Sequence, residues 1–174
     1  MATTTTHLSL EEFHRLYDGV KPNHEYWYGE AIPKPMATWL YGIFQLVLGM
    51  LLVRRGWHTA PEVTVKLSDD LELVPDVIAS RKKPELPYPK EPVDLCVEIL
   101  SPDDRLKNAP EKCTHYLRWG AKYVWIINPI ERSAWLLTRE SPRGIRIHPD
   151  GILTAGEDTQ IPLTELFSEV DKLL

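Results

Sequence analysis

Long apolar segments set the frame of the predicted fold. Residues 37–53 carry no charge, two arginines follow them, and then comes Gly56. Glycine commonly follows the last helical residue, so this segment predicts a helix over about Ala37–Arg55 that is buried on most sides. The nearly continuous apolar segment Val93–Leu100 is typical of a central strand that is covered on both faces of its sheet.

Shorter patterns predict the remaining elements. Further helices are predicted from capping signals and amphipathic spacing, at Ser9–Tyr17, Asn108–Trp119 and Pro162–Leu173. Further strands are predicted at Tyr26–Ile32 with a turn at Gly29, and at Glu62–Leu67, Leu71–Ala79, Tyr123–Ile127 and Ser133–Thr138. This order predicts a single domain over residues 1–174 with an α/β fold, in which helices flank a mixed sheet.

The charge of the chain bears on its partners. The formal net charge is −5, which argues against a protein that binds DNA mainly by neutralising phosphates. A nuclease remains compatible with this charge, because bound divalent cations change the local sign where the phosphate sits. Basic residues cluster at Arg81–Lys83 and again between Arg105 and Lys112, a pattern typical of solvated loops.

The cysteines and the apolar segment narrow the class of protein. Cys96 and Cys113 have no CxxC or histidine-rich spacing, which argues against a zinc site and a disulfide framework and favours reduced thiols in a cytoplasmic protein. Residues 1–7 lack the features of a signal peptide. Residues 37–53 are at the short limit for a bilayer span and contain Gln45, so the prediction is no membrane association, with a membrane-bound protein as the alternative.

Two carboxylates stand where hydrophobic side chains are expected. Asp76 interrupts an apolar segment directly after Pro75, a residue that predicts a bend or bulge because it cannot donate to a sheet ladder. Glu98 interrupts the central strand. Buried carboxylates need a cation or a strong partner, and oxygen ligands favour magnesium or manganese over zinc. The pair therefore predicts a divalent-metal site suited to phosphodiester hydrolysis.

Lys112 is the third candidate residue. It lies in the first turn of the helix predicted after the strand of Glu98, and its ammonium can reach back over the sheet edge. There it would orient the attacking water or stabilise charge on the phosphoryl oxygens. All three residues also have an ordinary interpretation, since strand acids form structural ion pairs and most helix lysines are exposed.

The segments around these residues resemble a known family. They are Glu25–Glu30, Val74–Asp76, Val97–Pro102, Asp104–Leu106, Lys112, Tyr116, Gly120–Ala121, Val124–Ile127, Pro129, Leu153–Glu157 and Ile161–Pro162. In them the chain resembles the Uma-type family of predicted restriction-endonuclease-like proteins, which belongs to the PD-(D/E)xK nuclease superfamily. The resemblance covers most of the chain. It implies a restriction-endonuclease-like core and a magnesium-dependent phosphodiesterase site.

The resemblance also implies roles for individual acids. Asp76 and Glu98 match the two motif acids, and the main-chain carbonyl of Ile99 would be a further metal ligand. An upstream acid often completes such a site. Glu30 is the first candidate for it and Glu25 the second, although either could equally be a surface glutamate beside a turn.

The basic residue departs from the superfamily pattern. The motif lysine would fall at Leu100, so the resemblance implies a lysine displaced to the next helix, which matches Lys112, with Lys107 as the fallback. Many relatives carry a histidine near the start of the long helix, where this chain has Trp39. Pro110 can shift the first turn of the Lys112 helix, although proline is tolerated that early.

Two hypotheses of function follow. The first is a metal-dependent endonuclease that uses magnesium or manganese to hydrolyse nucleic-acid phosphodiester bonds, with DNA as the substrate by family analogy. The second is a catalytically inactive nuclease fold that serves as a DNA-binding or assembly module, which the acidic charge and the missing histidine favour.

The long predicted helix also bears on assembly. Its apolar residues Trp39, Phe44, Leu46 and Leu51 lie on different sides and exceed what one small sheet covers. We therefore predict a homodimer, with this helix as a candidate part of its interface.

Overall fold

The computed structural model describes residues 7–101 and 109–174. The helices are α1 (Leu10–Tyr17), α2 (Trp39–Arg54), α3 (Ala109–Trp119) and α4 (Leu163–Asp171). The strands are β1 (His24–Trp27), β2 (Glu30–Pro33), β3 (His58–Pro61), β4 (Val65–Ser68), β5 (Leu71–Leu73), β6 (Val77–Ser80), β7 (Leu95–Ile99), β8 (Tyr123–Asn128), β9 (Ser133–Leu137), β10 (Ile145–Ile147), β11 (Ile152–Thr154) and β12 (Gln160–Pro162). These elements confirm the predicted α/β class.

The strands form a large mixed sheet and two smaller antiparallel ones. The six-stranded sheet has the order β10-β9-β8-β7-β6-β3, in which β7 and β8 are parallel and the other neighbours antiparallel. The four-stranded sheet has the order β2-β1-β5-β4, and β11 pairs with β12. The β7–β8 pair is parallel because α3 makes the crossover between the two strands.

Apolar layers cover both faces of the six-stranded sheet. On one face, α2 and α4 pack against side chains that include Val97, Trp125 and Ile127. On the other face, α3 and the four-stranded sheet pack against Cys96 and Val124. Successive strand residues alternate between these two layers, which explains why β7 and β8 are apolar almost throughout. The prediction of a central strand covered on both faces is confirmed.

The predicted strand Leu71–Ala79 is wrong as a single element. It is split into β5 and β6, which belong to different sheets, and the residues between them include Pro75. Proline cannot donate a ladder hydrogen bond, so the chain leaves one sheet at this point and enters the other. The break matters for the site, because Asp76 is the last residue before β6.

Other boundaries also differ from the prediction. The strand predicted at Glu62–Leu67 begins only at Val65, because Glu62 has a φ of +50° that strands do not adopt. Strand β3 and the β11–β12 hairpin were not predicted. The predicted start of α3 at Asn108 and the fallback lysine Lys107 lie outside the described residues.

The long helix α2 begins at Trp39 and not at Ala37, where the prediction placed its start. The Thr38 hydroxyl accepts the N–H of Tyr41 and caps α2, and Gly56 follows the C-terminal end with a φ of +79°. At α1, the predicted capping box between Ser9 and Glu12 is present. None of the helices in residues 7–101 and 109–174 combines the length and apolar character that a membrane span requires.

Candidate active site

Asp76 and Glu98 lie close to each other at the six-stranded sheet, Asp76 directly before β6 and Glu98 within β7. Val77 of β6 pairs with Val97 of β7 in antiparallel register, and the main-chain N–H of Asp76 donates to the Val97 carbonyl at 3.0 Å. This register sets Asp76, the residue directly before β6, beside Glu98, and both side chains line the same cavity. The two carboxylates are buried, at 3% and 7% exposed. The fold thus brings together two acids from separate apolar segments.

Asp76 is held from three directions. Its Oδ1 accepts hydrogen bonds from the Lys34 ammonium at 2.7 Å and from the Tyr41 hydroxyl, and its Oδ2 accepts the main-chain N–H of Ile99 at 2.6 Å. Lys34 also donates to the Val74 carbonyl at 2.7 Å. The carboxylate is therefore fixed by the β2–α2 connector, by the first turn of α2 and by β7.

Glu98 is held by two residues of α3. The Lys112 ammonium lies 2.9 Å and 3.0 Å from its two oxygens, and the Tyr116 hydroxyl donates to Oε1 at 2.6 Å. Lys112 and Tyr116 are four residues apart, so they lie on the same side of the helix. Both can reach Glu98 because α3 covers the face of β7 from which this side chain projects.

Glu25 joins the four-stranded sheet to the same cluster. Its Oε1 lies 2.8 Å from the Lys112 ammonium and accepts the main-chain N–H of Val74 at 2.9 Å. Its Oε2 accepts the indole N–H of Trp27 at 3.2 Å. Glu25 is 5% exposed. The second choice for the upstream acid is thus a buried member of the cluster and not a surface residue.

Five ionisable residues therefore form one buried group, which we call the acid–lysine cluster: Glu25, Lys34, Asp76, Glu98 and Lys112. All five line a cavity of about 520 Å³, a volume in the range of ligand sites. With every member ionised, three carboxylates face two ammonium groups. The cluster then carries one net negative charge, which favours the entry of a cation.

Burial and neighbouring charges set the protonation of Glu98 and Lys112. Burial raises the pKa of Glu98 from 4.5 to about 7, although Lys112 opposes this change. Burial alone would lower the pKa of Lys112, but the negative charges of Glu98, Glu25 and Asp76 outweigh it and raise that pKa. Lys112 therefore stays an ammonium, while Glu98 exchanges its proton near neutral pH in the metal-free protein.

This raised pKa predicts a pH-dependent stability. Because folded Glu98 binds a proton more tightly than unfolded Glu98, its contribution to the free energy of unfolding falls as pH rises from about 4.5 to about 7. Urea unfolding in EDTA should show that the wild type loses stability relative to Glu98→Gln over this range. A difference between the two proteins that is the same at about pH 5 and about pH 7.5 would contradict the assignment.

The donor set of the cluster fits magnesium or manganese. Asp76 and Glu98 offer hard oxygen atoms to the same cavity, and each forms an ion pair with an ammonium, the kind of charge that a divalent cation can replace. In the part of the chain that the structure describes, no three His, Cys, Asp or Glu side chains are grouped to hold a metal ion. Magnesium does not require such a group, because it commonly binds through one or two carboxylates and keeps several water ligands.

Comparison with known proteins decides the family. The family model for Uma2, described as "putative restriction endonuclease", matches residues 10–168. The chain belongs to the Uma2 family. Its fold is similar to the crystal structure of a nuclease, described as putative and as belonging to DUF820, from Anabaena variabilis, with a TM-score of 0.78 and 23% identity over 94% of this chain and 99% of that one. No curated protein matches the chain.

These findings confirm the resemblance and the restriction-endonuclease-like fold. They associate the Uma2 family, and with it this chain, with nucleases. The roles of single residues stay predictions. Among them, Glu30 lines the same cavity but is exposed at the start of β2, and Ile99 contacts Asp76 through its N–H. As upstream acid, Glu25 is better placed than Glu30, because only Glu25 is ion-paired within the cluster.

Three residues of the site have no site role in the sequence-based prediction: Lys34, Tyr41 and Tyr116, of which Tyr116 is among the positions that carry the family resemblance. The sequence does contain a signal for Tyr41, because Gln45 follows it by four residues and the two residues place polar groups on one side of an otherwise apolar helix. In the structure, Gln45 donates to the main-chain carbonyl of Asp76 at 2.9 Å. Tyr116 follows Lys112 with the same spacing. Lys34 had no such signal, since a lysine in a proline-rich connector is typical of the surface.

Proposed function

We propose that this protein is a metal-dependent endonuclease that hydrolyses phosphodiester bonds of nucleic acid, with DNA as its substrate. The observation that carries the proposal is the position of Asp76 beside Glu98 in one cavity, with the Lys112 ammonium in contact with Glu98. Membership of the Uma2 family supports the reaction class.

Each residue has a proposed role. Asp76 and Glu98 would hold magnesium or manganese, with the carbonyl of Ile99 and an upstream acid as further ligands. When bound, the ion supplies a water of lowered pKa and neutralises charge on the phosphate. The Lys112 ammonium stabilises negative charge on the phosphoryl oxygens, and Glu25 helps to keep it in position as its second ion-pair partner.

A cleavage assay tests the proposal. Purified protein is incubated with supercoiled plasmid, linear duplex, single-stranded DNA and RNA, in MgCl₂, MnCl₂ or EDTA. We expect DNA to be cut internally in the presence of metal and to stay intact in EDTA. Cleavage in EDTA would contradict the role of the metal, and cleavage of RNA alone would contradict the choice of substrate.

The alternative function is a catalytically inactive fold that binds DNA or assembles with other subunits. It predicts that no substrate is cut under any condition while DNA binding in a gel-shift assay is unaffected by Asp76→Asn. The ion pairs of the acid–lysine cluster would then serve stability alone.

We also propose that the protein is a homodimer with α2 at the interface. Phe44 and Leu51 are buried in the core of the protomer, whereas Trp39 and Leu46 are exposed. Further exposed apolar residues on the same stripe of the helix are Met50 and Val53. Four apolar side chains along one side of a helix form the kind of surface that subunit contacts cover.

Light scattering tests the dimer. We expect the wild type to show twice the monomer mass and Leu46→Lys to shift towards the monomer, because a lysine at the centre of an apolar interface loses its hydration. Leu86→Lys is the matched control, since Leu86 is exposed in the segment between β6 and β7. A monomeric wild type, or dimers that both variants leave intact, would contradict the proposed interface.

A cytoplasmic location is part of the proposal. Cys96 and Cys113 are both free and buried, which is the state expected of thiols in a reducing compartment.

A further inference from the structure

Lys34 has a largely buried side chain that joins the β2–α2 connector to the segment between β5 and β6. Its ammonium donates at 2.7 Å both to Oδ1 of Asp76 and to the carbonyl of Val74. Its side chain is only 9% exposed. Lysine is seldom buried to this degree unless it is paired, so a specific interaction holds this side chain inside the cavity.

The backbone of Lys34 is also held in place. It lies between Pro33, the last residue of β2, and Pro35, and its N–H donates to the carbonyl of Asn23 at 2.8 Å. Proline fixes its own φ and restricts the residue before it. The main chain at Lys34 is therefore constrained. For this reason the Lys34 side chain enters the cavity from a fixed point, whereas a lysine on a flexible loop would sample many positions.

The contacts of Asp76 show what this ammonium competes with. A carboxylate has about four acceptor positions. In the described residues, Lys34 and Tyr41 donate to Oδ1, and Ile99 donates to Oδ2. A divalent cation that binds through Oδ1 must therefore displace one of these donors. Lys34 is the only one of the three that also repels a cation, because the other two are neutral.

Charge leads to the same conclusion. With Lys34 in place, the ionised acid–lysine cluster has one net negative charge. Without the Lys34 ammonium it has two, and a divalent cation would be attracted more strongly. A residue that stabilises the metal-free site in this way lowers the affinity of the site for metal.

We propose that Lys34 is an internal counter-ion of Asp76 that occupies the cation position at Oδ1 in the metal-free protein and leaves it when a divalent ion binds through this oxygen. This inference rests on the proposed metal site. It assigns Lys34 a positioning role that sets the affinity of this site for a divalent ion. Lys34 thereby keeps the Asp76 carboxylate oriented until metal arrives.

Manganese binding, measured by electron paramagnetic resonance of free Mn²⁺, tests the proposal without any need for cleavage. We expect Lys34→Met, which keeps the length of the side chain and removes its charge, to bind Mn²⁺ about tenfold more tightly than the wild type or better. Lys34→Arg keeps the charge and should stay within about threefold of the wild type. Lys66→Met is the matched control. Lys66 lies on β4, forms an ion pair with Asp69 at the surface and does not line the cavity, so its replacement should not change the affinity for Mn²⁺.

Thermal unfolding gives a second measurement on the same proteins. In EDTA, Lys34→Met should melt at a lower temperature than the wild type, because Asp76 then lacks its counter-ion. Saturating Mn²⁺ should narrow or remove this difference, since the metal supplies the missing charge.

The outcomes separate this inference from the proposed function. If the wild type binds Mn²⁺ and Lys34→Met binds it equally or more weakly, the counter-ion role is wrong while the metal site stands. If neither protein binds Mn²⁺, the metal site itself is refuted, and Lys34 is then a structural partner of Asp76. Tighter binding by Lys34→Arg would also contradict the proposal, because that variant retains the positive charge.

Discussion

Asp76→Asn should reduce cleavage by about a thousandfold or more, because it removes the charge of one of the two proposed metal-holding carboxylates while keeping the size of the side chain. The amide oxygen can still accept the N–H of Ile99, which the wild-type carboxylate accepts at 2.6 Å. The Lys34 ammonium loses its ionised partner, so the free energy of unfolding should fall as well, by up to about 3–5 kcal/mol. Circular dichroism of the variant checks that the fold persists under the assay conditions.

Asp94→Asn is the matched control for this variant. Asp94 directly precedes β7, at the end of the strand opposite to Glu98. Like Asp76, its carboxylate interacts with an ammonium, a main-chain N–H and a hydroxyl, which belong to Lys122, Arg81 and Ser80. Its replacement should leave cleavage within about threefold of the wild type, because it neither lines the cavity nor contacts the cluster. Equal losses in Asp76→Asn and Asp94→Asn would show that the effect follows stability and not chemistry.

Lys112→Met should cause a large loss of stability. Its ammonium is the shared partner of Glu98 and Glu25, at 2.9 Å and 2.8 Å. Its removal leaves these two buried carboxylates without their common positive charge. Breaking a buried ion pair from one side costs about 3–5 kcal/mol. Urea unfolding in EDTA measures this change, and magnesium should restore part of the stability because a cation again compensates Glu98. Cleavage should also fall, by about a hundredfold or more.

Lys122→Met is the control for Lys112→Met. Lys122 also forms an ion pair with an acid, Asp94, at 2.7 Å, but its side chain is 68% exposed. The expected loss is at most about 1 kcal/mol, since exposed ion pairs are screened by water. Similar losses in the two variants would mean that burial does not determine the energetics of the cluster. Recovery of the Lys112→Met protein in magnesium distinguishes a metal-binding cluster from a purely structural one.

The acids of the site could be predicted from the sequence because each violates a strong pattern. A carboxylate in an apolar strand is costly, so Glu98 in Val93–Leu100 and Asp76 after Pro75 stand out without knowledge of the fold. The proximity of the two residues depends on the register between β6 and β7. No local sequence signal fixes that register, because it results from how whole strands pack.

The split between β5 and β6 shows the same limit at the level of the fold. Pro75 correctly indicated an irregularity within Leu71–Ala79, but a bend and a change of sheet look alike in sequence. The difference is decided by where each half finds its partner strand, and β5 pairs with β1 while β6 pairs with β7. Lys34 was missed for a related reason, because its burial depends on how the β1–β2 hairpin lies against the break at Val74.

The most direct test of a shared metal site is a crystal of the protein soaked in MnCl₂ and measured at a wavelength where manganese scatters anomalously. We predict an anomalous peak within coordination distance of one oxygen of Asp76 and one of Glu98, with the Lys34 ammonium moved away from Asp76. A map without a peak at this position, in which both ammonium groups keep their ion pairs at saturating manganese, would contradict the proposal that these two carboxylates bind one divalent ion.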